Sequence, residues 1–227
     1  MAFIRTSGLP VSALLVVGMT TAANAALIDR GGGLIYDDDR NITWLANANY
    51  GAGSSFDDGF SNSDGLMTWQ SAIDWAAQLS YFDNVRGATY TDWRLAATPP
   101  APDNTCTIPQ PAFGTGCTGS ELGHMFKLEL GGTVTDPLGP NPAPGPGPFT
   151  NLQGDGYWSG TSFDATNAYV VNFGFSGQQA ADNKALGYYA WAVRDGDVSA
   201  VPAPGALWLL GTGVLCLAGR VRGRARS

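Results

Sequence analysis

Asn167-Ala168-Tyr169-Val170-Val171-Asn172-Phe173 alternates along its length and is rich in aromatic and β-branched side chains. That composition suits a pleated strand packed on its neighbours. Ser176-Gly177 follows as a hairpin turn into the segment from Gln178, and Asp182-Asn183 offers a second turn. Working outward, Gly156-Tyr157-Trp158-Ser159-Gly160-Thr161 reads as the preceding strand, and Tyr188 to Arg194 as the closing one. An antiparallel meander therefore occupies the last third of the body.

Two helices precede it. Thr68 is a good N-cap, and Trp69, Ala72, Ile73, Ala76 and Leu79 fall on one helical face, with Asp74 and Gln78 turned to solvent. Thr118-Gly119-Ser120-Glu121 has the form of a capping box and opens a second helix through Leu122, Met125, Phe126 and Leu128. His124, the chain's single histidine, lies on that helix, where the sequence shows it no partner. Near the start, Leu34-Ile35-Tyr36 and Ile42 to Leu45 flank Asp37-Asp38-Asp39 as two strands around an acidic turn. The triplet lacks the Asp-x-Asp-x-Asp-Gly spacing of a calcium loop and reads as turn chemistry. Gly51 to Gly65 reads as a loop, and Tyr90 to Leu95 as an extended segment. The proline-rich stretch within 137–148 reads as an exposed loop inside one domain. Hairpin, helices and late antiparallel sheet define an α+β domain.

Residues 1–25 read as a secretory signal. Arg5 is the basic start, Leu9 to Met19 the apolar core, and cleavage is expected between Ala25 and Ala26. At the other end, Val201-Pro202-Ala203-Pro204 precedes an apolar run from Ala206 to Gly219, then Arg220, Arg222, Arg224 and Arg226. A basic flank of this kind stays in the cytoplasm, which puts residues 26–200 on the far side of the membrane. The 14-residue run reaches about 21 Å as a helix, against a hydrocarbon core of about 30 Å, a marginal C-terminal transmembrane helix. Between the ends stand seven basic and 19 acidic residues, a body charge of −12. Such a surface repels nucleic acid and sulfated polymers. Cys106 and Cys117 sit 11 apart in a loop of an exported chain, where a disulfide is expected rather than a zinc site. Closing that loop is worth about 3 kcal/mol in the chain-entropy model.

The tripartite ending, residues 201–227, resembles the PEP-CTERM sorting signal. Ala203 stands where that family has glutamate. The resemblance implies export through the Sec translocon, transient anchoring in the inner membrane, and processing by an exosortase toward the cell surface or extracellular matrix. The body resembles the Lcl C-terminal-domain family. The likeness is carried by Ile42-Thr43-Trp44-Leu45, Met67-Thr68-Trp69, Asp92-Trp93-Arg94-Leu95, Glu121-Leu122, Tyr157-Trp158-Ser159-Gly160-Thr161 and Tyr189-Ala190-Trp191-Ala192-Val193-Arg194. It departs at Ala96, where the family has proline, and at Gly160. The resemblance implies a compact domain of C-type-lectin-like or formylglycine-generating-enzyme-like shape, with Trp69, Trp93, Arg94, Tyr157, Trp158 and Arg194 as structural motif residues. Arg94 and Arg194 are expected in ion pairs, Arg94 with Asp92 or with an acid near the body's end, or stacked on tryptophan rings.

The sequence holds no Gly-x-Ser-x-Gly elbow, no His-Glu-x-x-His and no phosphate-binding glycine loop. No catalytic, cofactor-binding or metal-ligating residue is expected, and no cofactor. The expected function is non-catalytic binding of glycan, an extracellular polysaccharide, or other matrix components, with the six body tryptophans as part of the motivation. A self-associating matrix component and a carbohydrate-active enzyme working through paired carboxylates are the alternatives.

Overall fold

The computed structural model describes residues 27–132 and 147–198. The signal segment, most of the proline-rich stretch and the whole sorting segment lie outside the described residues, and with them the expected transmembrane helix. Within the described residues, no helix is long and apolar enough to cross a membrane.

Three sheets form. The first runs in the order β1 (Leu27–Asp29), β2 (Leu34–Asp37), β3 (Ile42–Leu45), β12 (Ala192–Asp195) and β7 (Arg94–Leu95). The second runs β10 (Gln178–Asn183), β9 (Asn167–Asn172), β8 (Gly156–Ser162), β11 (Tyr188–Tyr189) and β4 (Leu66–Met67). A small hairpin pairs β5 (Tyr81–Asp83) with β6 (Ala88–Tyr90). Pairing is antiparallel except between β11 and β8, which run parallel at Tyr189 and Tyr157. Helix α1 (Trp69–Gln78) follows β4, and the short α2 (Glu121–His124) continues into a π-helical turn, Met125–Glu129. The architecture is α+β with antiparallel sheets, as expected.

The expected closing strand, Tyr188 to Arg194, is broken. Ala190 and Trp191 carry the chain out of the second sheet and into the first, so one extended run serves both. The central strands are buried on both faces, and their alternation divides two cores from each other. Leu34, Leu45, Trp158, Val170, Ala190 and Ala192 meet Ala72, Trp75 and Ala76 of α1. Their neighbours Ile35, Trp44, Tyr157, Val171, Trp191 and Val193 meet Leu122, Met125 and Phe126. Registers agree with this partition: Ile35 faces Trp44, Val193 faces Trp44, and Val171 faces Tyr157.

Trp191 sits where the two sheets join. Its ring packs on Trp44 at 4.6 Å and on Phe149 at 4.8 Å, and its indole N–H donates to the Leu45 carbonyl at 2.8 Å. The hairpin turn at Ser176-Gly177 forms as expected, both residues holding positive φ. A Cβ on Gly177 would lie 2.2 Å from the Phe126 ring, so the turn also sets how closely β9 and β10 approach the π-turn.

Details of the helices differ from the sequence reading. On α1 the buried face is Ala72, Trp75 and Ala76, while Trp69 is only half-buried. Thr68 occupies the N-cap position without capping through its side chain. Asp58, from the preceding loop, instead accepts from the Thr68 N–H at 2.9 Å and the Ser71 hydroxyl at 2.6 Å. The cap of α2 is Ser120, whose hydroxyl accepts from the Gly123 N–H, and the expected Thr118–Glu121 capping box does not form. The π-turn brings Leu128 to the surface.

Trp191→Phe keeps most of the ring and deletes its N–H, leaving the Leu45 carbonyl without that donor. The expected cost is about 1–3 kcal/mol, read from chemical denaturation. An unchanged midpoint would show that the indole bond does not hold the two sheets together.

Candidate functional site

The site grows from Arg94. On β7, its guanidinium grips Glu121 with two bonds of 2.7 and 2.8 Å and reaches Asp195 at 2.6 Å. The Glu121 carboxylate also accepts from the Ala97 N–H at 2.6 Å. These contacts fix the first residue of α2, and Ser120 caps the turn. Such bidentate pairs are geometrically specific as well as strong. One turn later stands His124, its position set by Glu121 and Ser120.

His124 is 4% exposed, and the π-turn supplies the partner that the sequence did not reveal. Its Nε2 lies 3.1 Å from Glu129 Oε1. In an α-helix, residues five apart diverge by about 140° around the axis. The wider π-turn, closed by Leu130 N–H to Met125 O at 2.9 Å, returns residue 129 beneath residue 124.

The β2–β3 turn completes the cluster. Asp37 ends β2 with no exposed surface, and one of its oxygens accepts from the Arg40 N–H at 3.0 Å. Asn41, at φ 52°, closes the turn. A carboxylate oxygen of Asp37, His124 and Glu129 each present one atom within 4.8 Å of the other two. Asp39 Oδ2 stands 4.0 Å from His124 Nε2, with about half of its side chain in solvent. Asp37 Oδ2 is buried without a hydrogen-bond donor, and Trp44 Nε1 without an acceptor. The indole faces the Asp37 carboxyl and favours its ionised form without closing a bond of normal geometry.

Burial dominates the protonation of this cluster. It raises Asp37 above the usual carboxylate range, against the opposing effect of the Arg40 N–H. Burial, then the charges of Asp37, Asp39 and Asp38, push Glu129 up to about 7. His124 is lowered by burial and by Arg40, which outweigh the carboxylates. The imidazole is thus neutral at pH 7, in the form that can share a proton with Glu129 or hold a cation.

The motif residues expected from sequence are scattered through the fold rather than gathered at one place. Tyr157 and Trp158 are fully buried, with Trp158 donating to Met67 O at 2.8 Å. Trp93 is buried and donates to Tyr90 O. Trp69 donates to Ser159 O, and Lys184 lies 4.5 Å from its ring centroid. Arg194 pairs with Asp92 at 2.8 and 2.9 Å and stacks on Tyr90, a tyrosine and not a tryptophan. Asp92 therefore belongs to Arg194, while Arg94 takes the late acid Asp195. Cys106 and Cys117 form the expected disulfide. Of the body's six tryptophans, five lie in the core and Trp69 is half-buried, so they form no exposed stacking platform. Ala25, Ala26, Val201, Pro202, Ala203, Pro204 and Arg220, Arg222, Arg224 and Arg226 lie outside the described residues.

Comparison with known proteins bears on the ending. Residues 200–224 match the PEP-CTERM protein-sorting motif. That motif marks an exported protein, anchored in the membrane and processed there by an exosortase. No curated protein and no solved structure matches the chain.

Glu129 gives a pH signature. A carboxyl raised to about 7 from an ordinary 4.5 supports the fold fully below pH 4.5, and that support is lost as pH rises through 7. Glu129→Gln removes the dependence. With a chelator present, the variant should match the parent at pH 4.5 and exceed its stability at pH 8 by on the order of 1 kcal/mol. Parallel unfolding curves at both pH values would refute the raised Glu129.

Proposed function

We propose that the chain is an exosortase-sorted cell-surface or matrix protein whose body is a non-catalytic module that binds neutral glycan. The observation that carries the reading is the sorting motif at residues 200–224. The body charge of −12 supports it, since such a surface disfavours anionic polymers. The likeness of the body to the Lcl C-terminal-domain family supports the lectin-like side of the proposal. With the tryptophans committed to the core, the stacking surface falls to Phe113 and Phe163. Their centroids are 5.4 Å apart, Tyr169 packs at the edge of Phe163, and Phe163 is 39% exposed. Pyranose rings pack on aromatic faces of this kind.

Sorting is tested in cells. Replacing Pro202 and Pro204 together by alanine, or deleting residues 220–227, should leave full-length protein in the inner membrane. Release of either variant at the parent's rate would sink the sorting reading. Binding is tested on the full chain in detergent micelles, passed over immobilised neutral and sulfated polysaccharides. Retention on a neutral polymer, reduced about tenfold by Phe163→Ala, is expected; passage through every polymer would remove the glycan.

A further inference from the structure

We propose that Asp37, Asp39, His124 and Glu129 form a binding site for one divalent transition-metal ion, of which zinc is the type. The inference stands apart from the sorting and glycan reading and does not depend on it.

Geometry comes first. Two ligands of a tetrahedral zinc ion, each about 2.0 Å from the metal, stand about 3.3 Å apart. His124 Nε2 and Glu129 Oε1 are 3.1 Å apart. An Asp37 oxygen lies within 4.8 Å of both, and Asp39 Oδ2 stands on the solvent side, 4.0 Å from the imidazole. Asp37, His124 and Glu129 supply three donors already drawn together, and the Asp39 side chain would turn in from solvent to add the fourth.

Chemistry selects the ion. One imidazole nitrogen with carboxylate oxygens suits zinc and its first-row neighbours, whereas calcium and magnesium prefer sets made wholly of oxygen. Charge agrees: Asp37, Asp38, Asp39 and Glu129 face Arg40 as the opposing cation, and the Arg40 guanidinium is bound to the Thr118 carbonyl.

The independent sign is Asp37. It is fully buried, and its Oδ2 closes no hydrogen bond of normal geometry, the facing Trp44 indole included. A buried carboxylate oxygen without a donor is costly, and such groups pair with a proton, a cation or a metal. Its other oxygen is held by the Arg40 N–H, which orients the carboxyl as outer contacts orient ligands at metal sites. The ion would staple the β2–β3 turn to the π-turn, two segments joined here by side chains alone.

The test uses the untagged full chain in detergent, stripped with a chelator and titrated with zinc, calcium or magnesium. Zinc should bind one per chain and raise the melting temperature by ~5–10 °C at 100-fold excess over its dissociation constant. Calcium and magnesium should do much less. Cobalt in place of zinc should give the intense visible bands of a four-coordinate ion. Asp37→Asn should abolish the zinc-dependent rise while leaving the metal-free protein as stable as the parent, or more so. Asp39→Asn, on a half-exposed side chain, should weaken zinc about tenfold or more. No zinc binding at millimolar concentration, a preference for calcium, or zinc affinity unchanged in Asp39→Asn would overturn the site.

Discussion

The fold depends on where Trp191 sits. The chain leaves the second sheet at Tyr189 and enters the first at Ala192, and Trp191 fills the corner between them. Trp44, Phe149, Tyr157 and Phe173 all pack within 6.3 Å of its ring. Aromatic pairs of this kind add stabilisation beyond the area they bury. Because β12 is an interior strand of the first sheet, it joins the β1–β2–β3 meander to β7, which has no other partner in that sheet.

Much of this was legible in the residues, and the reasons for the rest are physical. Alternation in residues 167–173 gave a strand correctly, since period two is a property of the pleat. What alternation does not reveal is the surroundings of each face, and here both faces are covered. Valines 170 and 171 therefore serve different cores, a distinction invisible in two identical side chains. The β5–β6 hairpin has strands of only three residues, too short to show a period. Tyr81 and Tyr90 pack on the first core, but the other inward residue of β5 is an acid, Asp83, and Phe82 is 62% exposed. The disulfide was readable from compartment and spacing. Thr118 and Ser120 compete for one cap, and Ser120 wins because Arg94 claims Glu121 from outside the helix.

The candidate site was the least legible part. His124 and Glu129 are five apart, a spacing that α-helical geometry puts on different sides. Only the π-turn makes them neighbours, and π-turns recur at functional sites. Asp37 read as one of three acids in a turn, but its neighbours Asp38 and Asp39 are exposed while it is wholly buried. The sequence places all three alike; the sheet separates them. Arg94 links the regions: its bond to Glu121 sets α2, and α2 sets His124.

One ion pair near the ends of the folded body has a mechanical consequence. Arg30, just past β1, holds Asp197, just past β12, through bonds of 2.5 and 2.9 Å. The pair ties the β1–β2 turn to the segment just past the last strand, so a pull on the chain beyond Asp197 is shared by Arg30 before it strips β12 from the sheet.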